Sequence, residues 1–136
     1  MRTLLLLTAL LAGPAILAAQ TAPLACDGRM ATVRVSEVPA TGTSTGFLAA
    51  VAAQKAWYAA HAPNDEVYAS PVIVRDEKTK QRAYSTKQYI TFHIRGAAAG
   101  PAPQHDEAYD AFVKLYRANS EIKSEYNLCL PNPTAR

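Results

Sequence analysis

The sequence predicts an α+β fold of four strands and two helices, in the order strand, helix, strand, strand, helix, strand. Three observations predict it. Apolar and polar residues alternate without a break from Tyr89 to Arg95, which is typical of a strand with one buried face. Residues 47–62 and 105–120 each carry apolar residues at helical spacing. Pro71 interrupts another strand candidate, and a proline of this kind is tolerated at the edge of a sheet.

The first 19 residues have the features of an export signal. Arg2 supplies a positive start, Leu4 to Leu17 an apolar stretch, and Leu17-Ala18-Ala19 a small-residue end. Gly13-Pro14 divides the apolar stretch, which leaves too few residues for a membrane span of about 20. We therefore expect a signal peptide at 1–19, a secreted or periplasmic protein, and no membrane attachment after cleavage.

Cleavage leaves 117 of the 136 residues, enough for one domain with one core. We expect an N-terminal lead-in at 20–30, a single α+β domain at 31–131 and a C-terminal tail at 132–136. Losing Arg2 lowers the formal charge from +3 to +2. The remaining cations are dispersed along the chain, so no nucleic-acid partner is expected.

Cys26 and Cys129 stand near the two ends of the mature chain. In an oxidising compartment an even number of cysteines favours a disulfide, and closing a loop of about 100 residues stabilises by roughly 4 to 5 kcal/mol. The alternative is a lipid on Cys26, because Leu24-Ala25-Cys26 resembles the end of a lipobox, although Pro23 stands where an aliphatic residue is usual. Neither cysteine belongs to a Cys-x-x-Cys pair, so no redox or metal site is expected.

The first strand is predicted at Thr32 to Val38, and the first helix at Phe47 to Ala62, before Pro63. Between them, residues 42–46 match the Gly-x-Ser-x-Gly pattern of a nucleophile elbow. Three residues separate the strand from this pattern, and the mature chain is too short for the parallel sheet that presents such elbows. We interpret the segment as a loop whose Thr or Ser caps the helix. The helix should pack on a sheet through one stripe, namely Phe47, Val51, Gln54, Tyr58 and His61, with Trp57 at its margin.

The second strand is predicted at Glu66 to Arg75, followed by a charged hairpin tip at 76–82. Whether residues 82–86 extend the hairpin is left open. In the third strand, Tyr89 to Arg95, we expect the apolar side chains to face the helices. The polar side chains should then lie on an open face of the sheet, namely Tyr89, Thr91, His93 and Arg95.

The second helix should begin at His105-Asp106-Glu107 and end near Asn119 or Ser120, before a last strand at Tyr126 to Leu130. The complete order is that of the ferredoxin-like βαββαβ arrangement, a four-stranded antiparallel sheet of order 4-1-3-2 with two helices on one face. In that order the first and last strands are neighbours. This topology therefore brings the two cysteines together.

The element order, the Trp57-Tyr58-x-x-His61 ending of the first helix and a polar sheet face resemble the dimeric α/β-barrel proteins, a group that includes small monooxygenases and stress-response domains. The resemblance covers most of the mature chain as architecture, without a family-specific catalytic motif. It implies a homodimer formed through the open sheet face. It also implies that ligands bind between the sheet and the helices.

Two groups of side chains are candidates for ligand binding. Arg34 should lie near His93 on adjacent strands, with Tyr89 or Arg95 beside them, and such a group could hold a small anionic ligand. The alternative is a solvated face or a polar dimer interface. The second group is Trp57, Tyr58 and His61; for His61 the alternative is a position at the edge of the core, as part of the stripe with Phe47 and Tyr58.

The sequence predicts no cofactor and favours a non-enzymatic binding or interaction module. The alternative, drawn from the resemblance, is a cofactor-independent monooxygenase-like enzyme. A cavity that contains His61 or His93 together with Trp57 or Tyr58 would favour the enzyme.

Overall fold

The computed structural model describes residues 25–96 and 102–131. Its four strands form one antiparallel sheet of order β2-β3-β1-β4, and this confirms the predicted fold class. The expected signal peptide (1–19), the first part of the lead-in (20–24) and the tail (132–136) lie outside the described residues. In chain order the elements are β1 (Arg29–Glu37), α1 (Ser44–His61), β2 (Glu66–Arg75), β3 (Arg82–Ile94), α2 (Glu107–Asn119) and β4 (Glu121–Leu130).

β2 has the predicted bounds, Glu66–Arg75, whereas the other three strands are longer than predicted. β3 begins at Arg82, so residues 82–86 do extend the hairpin, although the register shifts between Pro71 and Ile73 on β2. β4 begins at Glu121, one residue after the C-cap of α2, because it pairs with β1 over its whole length. Cross-strand pairing thus extends both strands into segments without a clear alternation.

Side-chain caps fix the start of each helix. Thr43 accepts a hydrogen bond from the backbone N–H of Gly46 and caps α1, which confirms the capping interpretation of the Gly-x-Ser-x-Gly segment. Ser44 donates its hydroxyl hydrogen to the carbonyl of Thr86 on β3. Asp106 caps α2 by accepting from the N–H of Tyr109.

The expected orientation of β3 is wrong. Tyr89 is 5% exposed and its ring stacks on the fully buried Phe47 of α1, with ring centroids 4.6 Å apart. Thr91 is 8% exposed, and the register places Arg34 beside it on the same face. The side predicted to be open therefore faces the helices. Alternation shows that two faces differ, but it does not show which one the helices cover.

The opposite face of the sheet is apolar. Phe92 of β3 stacks on Tyr68 of β2 at 4.8 Å. Across the sheet Phe92 pairs with Val33, which pairs in turn with Tyr126 of β4. Tyr126 is 54% exposed and Leu128, two residues along on the same face, is 42% exposed. No described helix covers this surface, which we call the apolar sheet face; its members are Val33, Val35, Tyr68, Ile90, Phe92, Tyr126 and Leu128.

Helix α2 packs chiefly on α1 and only lightly on the sheet. At its C-terminal end, Asn119 Oδ1 accepts from the N–H of Thr43, 3.0 Å away. Two glycines permit this approach, since a Cβ on Gly46 would lie 2.1 Å from Asn119 Oδ1 and one on Gly42 2.8 Å from Asn119 Cα. At its N-terminal end, Asp106 binds α1 side chains. Anchored at both ends to α1, α2 leaves a space above the sheet.

Cys26 and Cys129 form the predicted disulfide, with Cα atoms 5.7 Å apart. The bond joins the segment before β1 to the end of β4, which are close together because β1 and β4 are paired in the sheet. Since Cys26 is paired, its sulfur is not available for a lipid. Within the ranges 25–96 and 102–131, no helix is long and apolar enough to cross a membrane.

Candidate functional site

A cleft of about 410 Å³ lies between the two helices and the helix-facing side of the sheet. This volume falls within the range of small-molecule sites, roughly 300 to 1,000 Å³. Strands β1 and β3 form its floor, and α1, α2 and the start of β4 form its walls. The residues that line it are Arg34, Ser36, Gln54, Tyr58, Thr91, His93, Tyr109, Phe112, Val113, Tyr116, Arg117, Ser120 and Ile122.

Small side chains on the floor contribute to this space. Ser36 and Thr91 are buried and stand where a hydrophobic residue would otherwise fill the gap beneath α2. Phe112, the buried residue of α2, packs against Trp57 and Tyr109 and so closes the inner part of the wall. The cleft therefore combines a hydroxyl-lined floor with aromatic walls.

The charges at the cleft are positive. Arg34 Nε donates to Glu125 Oε2 at 2.6 Å, and this salt bridge to β4 fixes the guanidinium. Its two Nη groups make no hydrogen bond within the described part of the chain. Arg117 supplies a second guanidinium from α2. No Asp or Glu is among the described residues that line the cleft, and Glu125, which pairs with Arg34 through Nε, stands outside that lining.

His93 is held on the floor by Asp65, from the loop between α1 and β2. His93 Nε2 lies 2.8 Å from Asp65 Oδ2, and Asp65 Oδ1 accepts from the N–H of Gly96 at 2.9 Å. The two side chains are 16% and 14% exposed. The ring of Tyr58 also packs against the imidazole, with ring centroids 4.1 Å apart. These contacts restrict the imidazole to one orientation.

Two tyrosine hydroxyls of the cleft remain protonated at neutral pH. Burial raises the pKa of Tyr58, and the neighbouring Tyr109 and Asp65 raise it further. Burial likewise raises the pKa of Tyr116, whose hydroxyl donates to Gln54 Oε1 at 2.7 Å. Both side chains can therefore act as hydrogen-bond donors rather than as anions.

Of the seven candidate ligand-binding residues, the cleft contains three: Arg34, Tyr58 and His93. Tyr89 belongs to the core beneath Phe47, and Arg95 is exposed, with its backbone N–H bonded to the carbonyl of Met30. Arg34 and His93 share one face on adjacent strands, as expected.

The two other candidates, Trp57 and His61, lie outside the cleft and join α1 to the start of α2. Trp57 Nε1 donates to Asp106 Oδ1 at 2.7 Å, and His61 Nε2 lies 3.2 Å from Asp106 Oδ2. The His61 ring stacks on Trp57 at 4.5 Å. The hydrogen bond from the N–H of Tyr109, followed by that from Trp57 and by the nearby His61, lowers the pKa of Asp106. Through these contacts with Asp106, Trp57 and His61 anchor the start of α2 to α1.

Sequence reasoning missed several cleft residues. Asp65 lies in a loop without periodicity, and only the tertiary structure brings it to His93. Tyr109, Val113 and Tyr116 do form an apolar row on the helical projection of α2, a signal that was available. That row could be assigned to a core but not to a cavity.

Comparison with known proteins gives no family. No family model matches the chain, and no curated protein matches it. Among solved structures, the chain is similar to SnoaB, a cofactor-independent oxygenase from Streptomyces nogalater, with 14% identity and a TM-score of 0.49 over 80% of this chain and 99% of that one. It is also similar to a phage SAM lyase in complex with S-methyl-5′-thioadenosine, with 10% identity and a TM-score of 0.24 over 81% and 97%. Likeness at this level carries no activity from either protein to this chain.

Proposed function

We propose that the protein is a small-molecule binding module whose cleft takes a planar molecule with an anionic group. The observation that carries the proposal is the Arg34 guanidinium, fixed by Glu125 through Nε with both Nη groups free of hydrogen bonds to the described residues. Free Nη groups match the two oxygens of a carboxylate. The aromatic walls suit a planar body.

Binding can be measured by NMR chemical-shift titration with benzoate and with benzamide, which has nearly the same shape but no charge. We expect benzoate to bind at least about 10-fold more tightly, because a hydrogen bond to a charged group contributes roughly 1.5 to 3 kcal/mol. Arg34→Gln should remove this preference. Arg82→Gln, which changes an exposed arginine on the hairpin, is the matched control. Equal affinity for both compounds, or benzoate binding that persists in Arg34→Gln, contradicts the proposal.

One observation favours a second function, the cofactor-independent monooxygenase-like enzyme expected as the alternative. His93 and Tyr58 lie together in a cavity, and a histidine held by a carboxylate can accept a proton from a bound phenol. An oxygen electrode with electron-rich phenols and hydroquinones tests this function. Oxygen uptake that depends on the protein and disappears in His93→Ala supports the enzyme, whereas uptake at the rate of the protein-free control rejects it.

We also propose that two copies associate through the apolar sheet face. Contiguous exposed apolar surface of this kind marks interaction sites, and an open antiparallel sheet face can meet a second copy of itself. Sedimentation analysis should give a dimer that Leu128→Glu dissociates. Leu48→Glu is a suitable control, since Leu48 is exposed to a similar degree but lies on α1: the exposures are 42% and 48%. A monomer at micromolar concentration would contradict this association.

Export to the periplasm or the medium is proposed together with these functions. A disulfide such as Cys26–Cys129 forms in an oxidising compartment, which supports export. Mass spectrometry of protein recovered from the producing cell's exterior would detect both signal cleavage and the disulfide. Retention of residues 1–19 would contradict the export proposal.

A further inference from the structure

The contact between His93 and Asp65 determines where the imidazole carries its proton. An ionised carboxylate only accepts hydrogen bonds, so a 2.8 Å contact from Asp65 Oδ2 requires a hydrogen on His93 Nε2. The neutral ring then has its lone pair on Nδ1. Asp65 cannot readily turn away, since its other oxygen accepts from the N–H of Gly96.

His93 Nδ1 is the ring atom left for a ligand. It makes no hydrogen bond to the residues that the structure describes, and His93 lines the cleft whereas Asp65 does not. The floor thus offers a cation at Arg34 and an acceptor at His93. Thr91 pairs with Arg34, and His93 stands two residues further on β3, so Arg34 and His93 are diagonal neighbours whose Cα atoms are about 7 to 8 Å apart. Both side chains line one cleft, where a substituted benzene ring can contact the two together.

We infer that Asp65 is a positioning residue that fixes the Nε2–H tautomer of His93 and thereby makes the cleft select anions that also donate a hydrogen bond, of the hydroxyaromatic carboxylate class. This inference rests on the proposed binding function. Arg34 holds the carboxylate, and the ligand's hydroxyl donates to His93 Nδ1. An ether in place of the hydroxyl has no hydrogen to donate and leaves the buried acceptor unpaired, which lowers affinity.

The Asp65→Asn variant separates this positioning role from a merely structural one. Gly96 N–H still occupies the carbonyl oxygen of the new amide, so the amide nitrogen faces His93 and donates to Nε2. The imidazole proton must then move to Nδ1. Side-chain shape is conserved, but the cleft now offers a donor in place of an acceptor.

The tautomer can be read without any ligand. Long-range ¹H–¹⁵N correlation spectra of the full protein at about pH 8.5, where a free imidazole is neutral, distinguish the protonated from the unprotonated ring nitrogen. We expect protonated Nε2 in the wild type and protonated Nδ1 in Asp65→Asn, with His61 and His105 unchanged. Asp110→Asn, at an exposed position of α2, is the matched control. An Nδ1–H tautomer in the wild type overturns the inference, even if Asp65→Asn fails to fold.

Titrations with 3- and 4-hydroxybenzoate and their methoxy analogues test selectivity. The wild type should prefer the better hydroxy compound over its methoxy analogue by about 10-fold or more, and Asp65→Asn should bind the two within about 2-fold, since a phenol or an ether oxygen can accept from Nδ1–H. If all four compounds and benzoate fail to bind, the proposed function fails and the selectivity fails with it. If benzoate binds but the wild type does not discriminate, the selectivity alone is overturned.

Discussion

The orientation of β3 predicts a measurable coupling between Phe47 and Tyr89. The two rings stack at 4.6 Å in the core between α1 and the sheet, while Ile90 points to the opposite side. Replacing either aromatic residue by Leu removes ring contacts without emptying the site, and each single change should cost about 1 to 2 kcal/mol of unfolding free energy. A stacked pair contributes about 0.5 to 1.5 kcal/mol beyond burial, and the double-mutant cycle should return that coupling.

The assay is urea unfolding of the disulfide-bonded protein, followed by the fluorescence of the single tryptophan, Trp57. A second cycle between Phe47→Leu and Ile90→Ala provides the control, and it should give coupling within about 0.3 to 0.5 kcal/mol of zero, as for independent sites. Both cycles are measured at one protein concentration, so that self-association of the protein contributes equally to every unfolding free energy that is compared. If the coupling free energy of Phe47 with Ile90 exceeded that with Tyr89, the apolar side of β3 would face the helices, as the sequence predicted. The cleft between the helices and the polar side of β3 would then be rejected.

Three further predictions concern the anchors of the fold. Reduction of the disulfide should lower the unfolding free energy by about 4 to 5 kcal/mol, measured by urea unfolding with and without reductant, and an unchanged midpoint would contradict its role. Gly46→Ala should lower the melting temperature by displacing Asn119, so Asn119→Ala should cost less in the Gly46→Ala background than in the wild type; equal costs in both would contradict this steric account. The lowered pKa of Asp106 contributes stability that is present above the unfolded pKa and lost as pH falls through the folded pKa, so stability should decline in acid. Trp57→Phe should raise that pKa in an NMR titration, and an unchanged titration would contradict the hydrogen bond.

The element order and the disulfide followed from local patterns, because proline positions, caps and hydrophobic periodicity act over a few residues. The orientation of the sheet did not. Both faces of β3 carry large side chains, so Tyr89 on one side and Phe92 on the other are equally suited to burial, and only the position of Phe47 decides between them. The helix-facing side also looks too polar for a core, because Thr91 and His93 form the floor of a cavity rather than a packed layer.

The candidate site was predictable only where it depends on strand order and register. Register brings Arg34 and His93 together once the strand order is known, and both were expected to be neighbours. Asp65 could not be found, since its position depends on how the loop after α1 returns to the end of β3. Trp57 and His61 belong to α1, which lines the cleft, but their side chains contact Asp106 at the start of α2 instead.

The two ends of α2 are anchored to α1 by side chains outside the cleft, while Tyr116 and Gln54 join the same two helices inside it. Asn119 at one end of α2 and Asp106 at the other hold the helix against α1, and neither lines the cleft. The volume beneath α2 is therefore set by these end contacts together with the Tyr116–Gln54 hydrogen bond inside the cavity. Exposed or half-buried lining residues such as Arg117 and Val113 can change with little loss of stability, whereas a change at either anchor moves the whole wall.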